Sequence, residues 1–215
     1  MRALEERLAR LIGDIDPASP RGRKRRRILE AATELFITQG YRRTNIDEIA
    51  RRAAIGKGTV YLHFATKAEV LLAVMAFEKQ RALALAPGIL DPQVSARERL
   101  KRWATAALRM VAHSPLFARL LAGDEEITGA LADLDPALVA EAHADRDEFL
   151  GQLLDEVAHP HPWPADARKE RLAVLEALPY FAPALRGEQL RQGLSIDRFA
   201  EVLASLLVDG ILPKP

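Results

Sequence analysis

Between Ile55 and Lys67 the chain reads IGKGTVYLHFATK. Lys57, Thr59, Tyr61 and His63 put an ammonium, a hydroxyl, a phenol and an imidazole within seven residues, and Lys67 adds a second cation four residues on. These groups exchange hydrogen bonds and attract anions. They lack the pattern of a nucleophile paired with its base. Elsewhere, too, there is no Ser/His/Asp set, Gly-rich phosphate loop or HExxH, so the chain reads as a binder and not as an enzyme. On a helix starting near residue 57, Val60 and Phe64 lie four residues apart and face inward. Lys57 and Tyr61 share another face, flanked by Thr59 and His63. Gly56 and Gly58 carry little bulk, so their backbone can come close to a ligand. Lys67 opens the next helix, where the N-terminal dipole helps it meet a phosphate.

Such a surface needs a scaffold. Residues 23–39 predict a helix with Ile28, Ala31, Ala32, Leu35 and Phe36 on one side and Gly40 as its stop. It begins in RGRKRRR, six cations in seven residues. A two-turn helix follows over about 46–53, with Ile46, Ile49, Ala50 and Ala53 inward. Thr44 or Asn45 can cap it, and Asn45 with Glu48 three residues later would make a capping box. Ala54 to Gly56 fit a tight turn. Two short helices joined by such a turn have the spacing of a helix-turn-helix, whose second helix enters the major groove of DNA. Thr66 caps a long helix that runs from Lys67 with Val70, Leu71, Val74 and Phe77 inward and fades before Pro87.

Charge divides the chain in the same way. Residues 21–81 hold 14 Lys/Arg against 6 Asp/Glu, and residues 82–215 hold 14 against 20. A basic module followed by an acidic one points to a polyanionic partner for the first. The remainder predicts proline-punctuated helices over 94–112, 115–121, 124–133, 136–157, 165–178 and 196–211, with the loop HPHPWP at 159–164. Pro179 and Pro183 are expected to bend or stop the helix that begins at 165. The chain is therefore expected to be all-α. Residues 1–12 form a short amphipathic helix. There is no cysteine, which excludes disulfides and thiolate metal sites and suits a cytoplasmic location. No signal peptide or membrane-spanning run is read. His113 and His143 lie on different helices without the carboxylate spacing of a metal site, so neither metal nor cofactor is expected.

The run from Thr44 to Lys67, TNIDEIARRAAIGKGTVYLHFATK, resembles the DNA-binding signature of the TetR family of transcriptional regulators. Upstream, ILEAATELFITQGYRRT is similar to that family's first helix and its Gly-aromatic stop. The resemblance covers about residues 25–75. Gly56 stands where the family usually has a small polar residue. The resemblance implies that Thr44, His63 and Lys67 meet phosphates. It puts Lys57, Gly58, Thr59 and Tyr61 in the major groove, and the run from Arg23 to Arg27, with Arg23 and Arg25 foremost, at the backbone or the adjacent minor groove. It also implies a homodimer built on the last two helices, here through Leu172, Leu175, Phe199, Val202, Leu203 and Leu206. A C-terminal cavity for a small effector is implied as well, and Trp103, Met110, His113, Phe117, His143, Phe149 and Tyr180 are its candidate lining. The expected organisation is an N-terminal extension (1–20), a helix-turn-helix domain (21–66) and an effector-binding and dimerisation domain (67–215). The expected function is that of a repressor released from a double-stranded DNA operator by a small molecule. An architectural DNA-binding protein without an effector, or a helical carrier or enzyme, are the alternatives.

Overall fold

The computed structural model describes residues 2–212, without the side chains of residues 2–5, 7, 139 and 141–147. Among the described residues every element is helical. In order these are α1 (Arg2–Ile12), α2 (Pro20–Thr38), α3 (Ile46–Arg52), α4 (Lys57–Tyr61), α5 (Lys67–Ala84), α6 (Ala96–His113), α7 (Pro115–Leu121), α8 (Glu125–Ala132), α9 (Pro136–Ala158), α10 (Ala165–Phe181), a 3-10 turn (Ala182–Arg186), α11 (Glu188–Arg191) and α12 (Ile196–Ile211). No described helix is long and apolar enough to cross a membrane. The described residues hold no cluster of three or more His, Asp or Glu that could bind a metal ion.

The chain forms two compact units. One comprises residues 2–80 and 122–142; the other comprises residues 81–121 and 143–215. In the first unit, α2 begins earlier than its apolar stripe predicts. Ser19 caps it by accepting from the Gly22 amide, and Pro20 supplies a preset φ at its first position. Asn45 accepts from the Glu48 amide at 2.9 Å. The reciprocal half of the capping box does not form, because the Glu48 carboxylate accepts from Gln39 instead. Thr66 accepts from the Glu69 amide and starts α5. Ile28, Leu29, Leu35, Phe36, Ile49, Val60, Phe64, Val70 and Leu71 are buried in this unit.

In the second unit α6 packs against α12 and α10. Leu100, Trp103, Ala104, Leu108 and Val111 belong to one apolar core with Phe149, Leu150, Leu153 and Leu154 of α9. Leu175 and Leu178 of α10 join this core, as do Ala200, Ala204 and Val208 of α12. That last stripe of small residues lets α12 lie close to its neighbours. Of the two prolines expected to bend or stop α10, Pro179 does not stop it: the helix runs on to Phe181. Pro179 lacks the amide that would bond one turn back, yet it is buried, and packing offsets the lost bond. Pro183 falls in the 3-10 turn.

Candidate nucleic-acid interface

Helix α4 is held from beneath. Val60 is fully buried and Phe64 is 4 % exposed; burying each contributes roughly 1.5–3 kcal/mol. The turn before it is tight. Ala54 adopts a positive φ of 50°, and the Ile55 amide donates to the Ala50 carbonyl at 3.0 Å. Arg27 Nη2 donates to the Ala54 carbonyl at 2.9 Å, so one cation of the basic run fastens the turn itself. A Cβ added at Gly58 would meet nothing within 4 Å, and one at Gly56 would meet only Thr59 Oγ1 at 3.9 Å. Both glycines thus leave open backbone on the outer side.

Anchored in this way, α4 exposes Lys57, Gly58 and Tyr61, with Thr59 half-buried beside them. Leu62, just past its end, is 78 % exposed. Lys57 Nζ pairs with Asp47 Oδ2 at 2.7 Å. That hydrogen bond and the carboxylate charge raise the Lys57 pKa, so the ammonium stays charged but is already partnered. Between the start of α2 and the end of α4 lies an open groove of about 550 Å³, lined by Pro20, Arg21, Lys24, Thr59, Leu62 and His63. Among the described residues neither Arg21 nor Lys24 pairs with an acid. The groove therefore joins two cations outside any ion pair among the described residues, one of them, Arg21, acting at longer range on Asp14, to the polar face of α4. His63 is half-buried, and its Nδ1 has no partner among the described residues. Burial first, then the charges of Arg25, Arg21 and Lys24, push its pKa below the ordinary histidine value. Its resting state near neutral pH is uncharged.

Three of the expected phosphate contacts are turned inward here. Thr44 is fully buried, and its hydroxyl donates to the Gly40 carbonyl at 2.8 Å. Lys67 Nζ donates to the Tyr41 and Thr44 carbonyls at 2.9 Å each and sits 4.2 Å from the Tyr41 ring centre. Burial lowers its pKa. Arg25 donates to the Ile12 carbonyl and, at 2.8 Å, to the His63 carbonyl. Arg23 is exposed but donates to the Pro17 and Ala18 carbonyls. The sequence signals a basic run. Which of its cations face solvent depends on which carbonyls the neighbouring turns leave unpaired. Arg21 and Leu62 are the additions the structure makes to the expected surface.

Of the residues expected around an effector, Trp103 and Phe149 are buried in the second unit's core, with Met110 and Phe117 packed at its edge. His113 is exposed and its Nε2 lies 3.1 Å from Asp197 Oδ1, while Tyr180 is exposed. The His143 side chain lies outside the described set. Of the residues expected at a dimer contact, Leu175 is buried within the chain itself and Leu172, Phe199 and Leu203 pack at the core's edge. Val202 and Leu206 are exposed, and Val174 and Phe181 join them as exposed apolar side chains.

Residues 28–74 match the family model of bacterial regulatory proteins, tetR family. Those residues, from α2 into α5, are thus similar to the DNA-binding segment of TetR-family regulators. It is 29% identical over 126 residues to the HTH-type transcriptional activator FasR of Mycolicibacterium smegmatis, a match spanning 59% of this chain and 58% of that one. It is 50% identical over 52 residues to the HTH-type transcriptional regulator SrpR of Pseudomonas putida, covering 24% of each. These matches thus span little more than half of the first relative and a quarter of the second. A solved TetR/AcrR-family regulator from Thermobifida fusca superposes with a TM-score of 0.61 at 26% identity, covering 86% of this chain and 97% of that one. The structural likeness thus extends over most of the chain, whereas the family model covers the helices around α4.

Proposed function

We propose that this chain is a TetR-family regulator, a sequence-specific DNA-binding transcription factor that works in the cytoplasm as a homodimer. The observation that carries the reading is the surface of α4. A short helix pinned by Val60 and Phe64 presents Lys57, Thr59, Tyr61 and Leu62 outward, beside a groove bearing Arg21 and Lys24. Polar and apolar side chains on a groove-sized helix can read base edges and thymine methyls. The flanking cations hold phosphates and set the register. Arg21 and Lys24 take the backbone role first assigned to Arg25, Thr44 and Lys67.

A dimer must set two such helices about 34–36 Å apart, or a multiple of that distance, to enter successive major grooves. The exposed Val174 and Phe181 on α10 and Val202 and Leu206 on α12 supply an apolar face for a second copy. Arg171 of α10 donates to the Ile211 carbonyl at the end of α12 at 3.0 Å, so the two helices are neighbours at that point. Repression relieved by a small, mainly apolar effector in the second unit is the regulatory scheme proposed. Such an effector acts only through its differential affinity for the DNA-competent and DNA-incompetent states. Activation is the second reading, favoured by the matched relative FasR, which bears the name of an activator.

A promoter-reporter assay on the DNA upstream of this chain's own gene, paired with a band shift, tests the proposal. Repression requires reporter output to rise when the chain is absent. Activation requires it to fall. No change together with no sequence-specific shift contradicts both.

A further inference from the structure

The N-terminal helix α1 is not a loose appendage. Ile12 is fully buried and Leu8 is 4 % exposed. Leu11 packs on a small cluster formed by Ala68 and Leu72 of α5 with Leu131, Leu134 and Leu138 from α8, α9 and the turn between them. The helix closes with Gly13 at φ 71°, whose amide donates to the Ala9 carbonyl at 2.7 Å. The link to α2 is drawn in tightly. Asp14 accepts from the Asp16 amide and from Ser19, each at 2.9 Å, and Gly22 lies so close beneath that a Cβ there would meet the Asp16 carbonyl at 2.4 Å.

At the centre of this arrangement stands Arg25. Its Nε donates to the Ile12 carbonyl, the last of α1. Its Nη1 donates to the His63 carbonyl, just past the end of α4, at 2.8 Å. Its guanidinium lies 4.0 Å from the centre of the Phe64 ring, a cation–π contact worth roughly 0.5–2 kcal/mol. One planar fork thus satisfies the last carbonyl of α1, which has no partner within its own helix, and a carbonyl two residues beyond α4. Lysine, with a single point of charge, cannot reproduce that geometry.

We propose that α1 is part of the DNA-reading apparatus without touching DNA, and that Arg25 is a positioning residue that ties α1 to the recognition helix α4. Displacing α1 or removing the fork then loosens α4 while every phosphate-facing cation stays in place. This inference rests on the reading of α4 as the DNA-recognition helix.

Three variants of the full chain test it. Arg25→Gln removes the fork. Ile12→Asp undocks α1. Gly13→Ala leaves all charges intact but brings a Cβ to 2.5 Å from Arg25 Nε at a backbone angle that disfavours alanine. Each variant is expected to weaken specific DNA binding on the order of tenfold or more while leaving the slope of log K against log salt unchanged. A lost phosphate contact instead flattens that slope by about one. Amide exchange in α4 (57–61) is expected to quicken in all three variants, with α3 (46–52) keeping its protection. In Arg25→Gln the His63 imidazole resonances should titrate at higher pH than in the parent chain, because one of the charges that depress His63 is gone. Slope loss on Arg25→Gln, or unchanged affinity and α4 exchange in Ile12→Asp and Gly13→Ala, overturns the proposal. The exchange and titration readouts need no DNA. A parent chain that binds no DNA specifically therefore sinks the functional reading, while these two readouts still decide the tie between α1 and α4.

Discussion

Replacing Asp47 with asparagine should tighten DNA binding. Asp47 holds Lys57 at 2.7 Å on the outward face of α4, and both side chains are more than half exposed. The pair contributes little to folding, as solvent-exposed ion pairs do, so stability should barely move. Binding should respond. In the parent chain Lys57 must leave a carboxylate before it can approach DNA, and that carboxylate then faces the phosphates. In Asp47→Asn both penalties disappear. If Lys57 thereby gains one full phosphate interaction, the slope of log K against log salt steepens by about 0.9. A fourfold change in salt, from 50 to 200 mM, then changes the advantage of the variant by roughly 3.5-fold, for example from about tenfold to about threefold. Fluorescence anisotropy with a labelled operator duplex measures both quantities. The gain should vanish in a Lys57→Ala background, because it acts through that ammonium. A gain that persists without Lys57, or an affinity that falls in Asp47→Asn, refutes the reasoning.

Further outcomes follow from the same geometry. Ala54→Gly should stabilise the fold by up to about 1 kcal/mol in a urea melt: relief of the positive φ at Ala54 is worth about 1–2 kcal/mol, less the added freedom of glycine in the unfolded chain. The depressed pKa of His63 carries a definite sign. The unfolded chain binds the proton more readily, so the stability contributed by the neutral imidazole is full above the ordinary histidine pKa and is lost as pH falls from there through the folded value. Phosphates favour the proton that Arg25, Arg21 and Lys24 disfavour and that Asp14 favours weakly, so DNA affinity should rise as pH drops from 7.5 to 6, and a His63→Gln variant should show a flatter profile. Leu206→Asp, at a side chain that is 68 % exposed in the single chain, should shift a dimer to monomer in sedimentation velocity without lowering the thermal midpoint of the monomer core.

Much of the fold was legible in the sequence because the signals were local. Asn45 and Thr66 accept backbone amides at the starts of α3 and α5, and hydroxyl or amide caps before apolar stripes are readable from residue types alone. The anchors Val60 and Phe64 followed from i, i+4 spacing. That α10 continues past Pro179 to Phe181 was less legible, because propensity weighs the lost backbone bond and not the packing of a buried ring. The division of labour among cations was not legible either. Arg21, Arg25 and Arg27 belong to one run and carry one charge each. Only the path of the chain determines that Arg25 meets Ile12 and His63, that Arg27 meets Ala54, and that Arg21 is left at the groove. Lys67 illustrates the same point: the loop before α3 leaves the Tyr41 and Thr44 carbonyls within its reach, and a buried unpaired carbonyl competes effectively for an ammonium.

Whether α4 reads DNA sequence is decided by the ratio of affinities for the upstream operator duplex and for a scrambled duplex of equal length and composition, measured at fixed salt in the parent chain and in Tyr61→Ala. The ratio is expected to be at least about a thousandfold in the parent chain, most of it lost in Tyr61→Ala, with weak salt-dependent binding to both duplexes retained. A ratio near one in the parent chain, or a ratio that Tyr61→Ala leaves intact, contradicts this reading of α4.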